Sequence, residues 1–184
     1  MSIEPNTANA LSDPNGVRDL AMAGCLLAAS VAVPIVFHLA GLGQVFLPMH
    51  IPVLIAGLTL RPRLAVAVGL LAPLASMFIT GMPPAPFAVV MTIELSILAL
   101  VASVLSSAIR APVWGSAICA VLARCVATAI VTVALARMLH LPPPATGIAA
   151  VVVGVPGIAL QLVAAIPAAM WLRAKRGARA ATWV

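Results

Sequence analysis

The run Phe87–Ile109, FAVVMTIELSILALVASVLSSAI, carries a single charged residue, Glu94, in 23 positions. As a helix rising 1.5 Å per residue it would be about 34 Å long. That is enough to cross a hydrocarbon layer about 30 Å thick. Five further runs of the same character lie on either side of it: Leu20–Leu42, Val45–Leu60, Leu64–Thr80, Val113–Leu135 and Ile148–Leu172. The second and third runs in chain order are short and hold prolines, Pro48 and Pro52 in one and Pro73 in the other. Proline is tolerated in a membrane segment where neighbouring helices satisfy the backbone groups it frees. The expected fold is therefore an all-α integral membrane protein of six transmembrane helices.

Composition agrees. Of 184 residues, 64% are hydrophobic and only 8% are charged, and the mean hydropathy is +1.20. A soluble domain carries about 25% charged residues. This balance excludes a soluble enzyme, a nucleic-acid binder and a disordered chain. Residues 1–17 are polar and turn-rich and read as a flexible N-terminal tail. The six-helix domain is expected over 18–173, followed by a basic tail at 174–184. The tail contains acids and no cleavage signal, so the first apolar run is not a signal peptide. Cys25, Cys119 and Cys125 all lie in apolar runs, which argues against a disulfide framework or a zinc site.

The basic residues set the orientation. Arg18, Arg61, Arg63, Arg110, Arg173, Lys175, Arg176 and Arg179 all fall on one side of a six-span chain, and only Arg137 lies near the other. The positive-inside rule then places both termini in the cytoplasm. Phe37, Phe46, Phe78 and Phe87 fall at outer helix ends, with Met49, Met77, Met82 and Met91 nearby. Trp114 and Trp171 fall at inner ends. The tryptophans read as an interfacial belt. The Phe and Met residues read either as outer-leaflet packing or as the apolar lining of a ligand pocket.

Glu94 and Arg124 are the residues most able to carry chemistry. A charge in the bilayer core is costly and normally faces a partner inside the protein. Glu94 lies about 10 Å below the outer end of its helix, and Arg124 about 14 Å below the outer side of the next, so the two can meet. They read as either a structural ion pair or a binding site for a polar ligand. Thr128 and Thr132 extend the polar stripe of Arg124, with interhelical hydrogen bonds expected for each. On the last helix Gln161 shares a face with Gly154 and Gly157. His50, flanked by Pro48 and Pro52, opens the second helix where an imidazole could bond a ligand or cap a backbone group. His38 and His140 lie nearer water and are weaker candidates. The loop Gly81–Pro86, with three prolines, reads as a rigid turn or a lid over an outward pocket. Gly24, Ala28 and Ala32 form a small-residue ridge that allows close helix approach, and Ala65 and Gly69 repeat it. No enzyme signature, catalytic group or metal-ligand set is present in the sequence.

The string from Phe46 to Leu58, FLPMHIPVLIAGL, resembles the substrate-binding (S) components of energy-coupling-factor (ECF) vitamin transporters. So do Gly69–Leu74 with Thr80–Pro83, Met91 with Glu94-Leu95, and Arg124; the similarity spans roughly residues 20–172. The resemblance implies a six-helix bundle in the bacterial cytoplasmic (inner) membrane that captures a vitamin or related micronutrient near the outer face. Its site would draw on His50, Met82, Met91, Glu94, Arg124, Thr128 and Gln161. It implies as partners a transmembrane coupling subunit, docked on Gly24, Ala28 and Ala32, and two ATPase subunits that use the ATP. This chain needs no cofactor of its own and no nucleic acid. It departs from the family pattern at Leu98-Ala99-Leu100, where an aromatic hydroxyl and a glycine are expected, which leaves the ligand open. A structural subunit of a membrane complex and an ion-coupled transporter working through Glu94 are the rival classes.

Overall fold

The computed structural model describes residues 14–39, 48–138 and 154–181. Every element among them is helical: α1 (Pro14–Leu39), α2 (His50–Thr59), α3 (Pro62–Thr80), α4 (Ala85–Ser103), α5 (Val113–Met138) and α6 (Val155–Ala181). A π-helical turn, Val104–Ala108, continues α4. Among the described residues, five helices are long and apolar enough to cross a membrane: Gly16–Phe37, Pro62–Thr80, Phe87–Ala108, Val113–Leu135 and Val155–Arg176. The chain is thus a multi-pass, all-helical membrane protein. The run Val45–Leu60 is different. It is helical over the ten residues His50–Thr59, about 15 Å of rise; Val45–Leu47 lie outside the described residues.

Two helices run into the expected tails. Helix α1 begins at Pro14, inside the stretch read as a tail, because proline suits the first turn, where its missing N–H has no intrahelical role. Helix α6 runs on to Ala181, through the expected basic tail. Alanine, lysine and arginine there are strong helix formers and outweigh Gly177. Pro62 opens α3, and Gly81, at φ 73°, closes it in the left-handed conformation that glycine adopts without strain.

Helix α2 is the centre of the bundle. Eight of its ten residues are buried, and it packs against α1, α3, α4 and α6. A helix apolar on all sides needs surroundings without water, and here neighbouring helices supply them. Its last four carbonyls would be orphans in apolar surroundings. Each one has a donor. Leu60 N–H bonds Ala56 O at 2.8 Å, and Ser106 Oγ bonds Gly57 O at 3.3 Å. Arg173 Nε bonds Leu58 O at 2.8 Å, and Arg176 Nη1 bonds Thr59 O at 2.6 Å. Arg176 also pairs with Asp19 of α1 at 2.8 Å. Two guanidinium groups at a helix C-terminus also complement its dipole. The arginine end of the bundle is therefore tied together by α6 reaching over α2.

Small residues bring the inner helices close. A Cβ added at Gly57 would lie 2.7 Å from Ala102 Cβ and 3.0 Å from Ala99 O; one at Gly69 would lie 2.6 Å from Leu95 O. The Ala65–Gly69 ridge is thus consumed within the chain, by α3 against α4. Large apolar side chains face outward instead, among them Phe78 (81% exposed), Phe87 (65%), Trp114 (61%) and Trp171 (57%). Such a surface requires lipid. Lys175 Nζ sits 3.9 Å above the Trp171 ring at the arginine end.

The glycine contacts give opposite expectations for one substitution. Gly57→Ala should destabilise by about 1–3 kcal/mol, because the methyl group has no space to occupy. Gly24→Ala, with nothing within 4 Å of the added carbon, should be neutral or stabilising by up to about 1 kcal/mol. Thermal unfolding of both variants in one detergent checks the difference in sign.

Candidate functional site

Three helices bring one polar cluster together inside the bundle. His50 is the first residue of α2, Glu94 sits in the first half of α4 and Arg124 in the middle of α5. All three are buried, at 1%, 6% and 4% relative exposure. His50 Nε2 lies 3.1 Å from Glu94 Oε1 and 3.0 Å from Arg124 Nη1. Arg124 Nη1 also donates directly to the same Glu94 oxygen. The three atoms form a closed triangle. The depth match between Glu94 and Arg124 holds, and the structure adds His50 as a third member.

The triangle has a built-in choice. A guanidinium only donates and a carboxylate only accepts. His50 Nε2 can accept from Arg124 when its proton is on Nδ1, or donate to Glu94 when the proton is on Nε2. It cannot do both in one neutral tautomer. A partner that draws Arg124 aside therefore leaves Glu94 with an alternative donor in His50. Arg124 Nε has no hydrogen-bond partner among the described residues, so one N–H of the cluster is still open.

The other expected site residues divide. Thr128 is buried one turn along α5 from Arg124. Its hydroxyl donates to Arg124 O at 3.0 Å, and that of Thr132 donates to Thr128 O. The expected interhelical bonds are thus replaced by bonds within the helix, which a threonine in apolar surroundings makes four residues back. Met91 stands one turn from Glu94, toward the end of the bundle that carries the Gly81–Pro84 loop, and packs against the core. Met82 is half-exposed in that loop, 49%. Ser76 Oγ donates to its carbonyl at 2.8 Å. Phe78 and Phe87 face outward. His140, Phe46 and the side chain of His38 lie outside the described residues.

Gln161 of α6 is wholly buried, yet neither its amide oxygen nor its amide nitrogen has a hydrogen-bond partner among the described residues. An unpaired buried amide costs about 1–3 kcal/mol per group. Gly24, Ala28 and Ala32 all face out of the bundle, and the ridge they form has no partner helix within the described chain at Gly24. Sequence reasoning missed the part played by Arg173 and Arg176, which it read only as orientation signals. Their spacing of three on one helix face, beside a helix too short to span, is the pattern that could have found it.

No protein-family model, curated protein or solved structure matches this chain.

Glu94 and Arg124 should behave as one unit in stability. Glu94→Gln or Arg124→Met alone strands a buried charge and should cost about 3–5 kcal/mol. The double variant strands none and should be more stable than either single one. Melting temperatures of the four proteins measure this coupling; additive losses would mean that the pair does not interact.

Proposed function

We propose that this chain is the substrate-binding membrane subunit of an ECF-type importer. On this reading it has six membrane segments, with α2 and the residues before it as the second, and both termini in the cytoplasm of a bacterium. It captures a vitamin-like small molecule near the outer face, for uptake driven by ATP hydrolysis in two partner subunits. The observation that carries the reading is the His50–Glu94–Arg124 triangle. A charged, three-helix polar cluster in a lipid-facing bundle is costly and marks a functional site. It lies toward the end of the bundle away from the basic residues. It also stands at the start of the helix whose Pro48-Met49-His50-Ile51-Pro52 string resembles the family.

Substrate capture follows from the geometry. A polar group entering from the loop end engages the open Nε–H of Arg124 and the buried amide of Gln161. His50 keeps Glu94 partnered while Arg124 adjusts. Met91 supplies an adaptable apolar wall.

The outward ridge of α1 supports the partner half of the proposal. Two small-residue ridges exist, and the one on α3 is filled by α4 while that on α1 is free to receive a helix. A transmembrane coupling subunit would pack there through close backbone approach. Ala28→Trp should leave the melting temperature nearly unchanged, since position 28 is exposed. It should weaken co-purification with the coupling subunit at least about tenfold, a loss that a clash at a close-packed interface readily produces. A complex that purifies intact with this substitution would remove α1 as the docking helix.

A further inference from the structure

We infer that the molecule bound at this site is recognised through a neutral, planar cyclic amide edge, such as a lactam, ureide or imide, and not through a carboxylate or phosphate. The inference deepens the proposed function and rests on it. Two observations lead to it.

The first is the charge balance of the cluster. Arg124 is neutralised by Glu94 in direct contact, and His50 completes the triangle. An anionic ligand would have to compete with Glu94 for Arg124 and would bring two negative groups together at a buried site, which is strongly unfavourable. A neutral acceptor meets no such penalty at Arg124 Nε–H.

The second is Gln161. Its side chain presents one acceptor and one donor side by side, both buried and both without a partner among the described residues. The complement of a primary amide is another amide edge, with an N–H beside a C=O. A carboxylate would satisfy the amide nitrogen but would place an anion against the amide oxygen.

The helix register puts Gln161 in the same layer as the triangle. Arg173 and Arg176 of α6 reach Leu58 O and Thr59 O of α2, the same order along both helices, as in a pair running in one direction. Gln161 lies twelve residues before Arg173, about 18 Å, and His50 lies eight before Leu58, about 12 Å. Arginine side chains lean toward the helix N-terminus, which lowers Gln161 by several ångströms relative to this count. The amide therefore stands between the level of His50 and one turn beyond it, toward the loop end.

The test uses two planar probes of similar size, uracil for the imide edge and benzoate for the anion, titrated into the full-length protein in detergent. Uracil should raise the melting temperature of the wild-type protein, and benzoate should not. Gln161→Met should weaken uracil binding at least about tenfold. Without probe it should melt no lower than wild type, because an apolar side chain of similar size leaves no buried group unpaired. The wild-type comparison of the two probes needs no variant and stands even if Gln161→Met fails to fold. Uracil binding that survives Gln161→Met, or a variant that melts well below wild type without probe, would overturn the role of the amide. Benzoate binding that depends on Arg124 would overturn the amide class while leaving a substrate-binding subunit in place. If neither probe binds, the inference is wrong, and the proposed function is judged separately by whether a small molecule co-purifies with the wild-type protein.

Discussion

A ten-residue helix cannot reach across a hydrocarbon layer, so helix α2, whose C-terminus stands at the arginine end, begins within the bundle, and its buried backbone must be satisfied by the helices around it. That constraint organises the molecule. At the arginine end the four terminal carbonyls take donors from Leu60, Ser106, Arg173 and Arg176. In hydrocarbon each orphan group would cost several kcal/mol. Arg176 in turn holds Asp19, so the same contact fixes α1 and α6 around α2. At its other end α2 begins with His50, and the position of that imidazole depends on the helix being held from below.

The buried charges follow the same logic. Glu94 and Arg124 could not be afforded singly in this environment, and together they have no net charge to present to lipid. Under the proposed function, what they would offer a ligand is a set of directed hydrogen-bonding groups in place of a field. Thr128 and Thr132 donate their hydroxyl protons within their own helix, whereas Arg124 Nε and the Gln161 amide have no hydrogen-bond partner among the described residues. The close approach of α2 and α3 to α4, through Gly57 and Gly69, makes this arrangement rigid. The glycine, alanine and alanine of the α1 ridge instead look outward.

Much of this was legible in the residues. Apolar run length and the scarcity of charge dictate an all-helical membrane protein, and the depth of Glu94 and Arg124 on antiparallel neighbours brings them together. His50 could be singled out by its two flanking prolines, but its contact with both charges could not, because helical periodicity does not set side-chain direction at a helix start. The second apolar run was read at sixteen residues from hydropathy, whereas its described helix is ten, since composition alone does not separate a spanning helix from one buried on all sides. Pro14–Val17 fall in the polar stretch that reads as a flexible tail, yet they form the first turn of α1, where proline is at home; α6 continues through Ala174–Ala181 on good helix formers. Arg173 and Arg176 were visible only as charges, because their role depends on a partner more than a hundred residues away. The outward turn of Phe78 and Phe87 likewise depends on packing that no spacing encodes.

The central claim is that the His50–Glu94–Arg124 triangle holds a small molecule and is more than an internal brace. Mass spectrometry of small molecules extracted from purified wild-type protein and from the Glu94→Gln/Arg124→Met double variant tests it most directly. The account predicts one molecule in near-stoichiometric amount with the wild-type protein and its loss from a folded double variant. An equal amount of the same molecule in the folded double variant, or none in either protein, would contradict it.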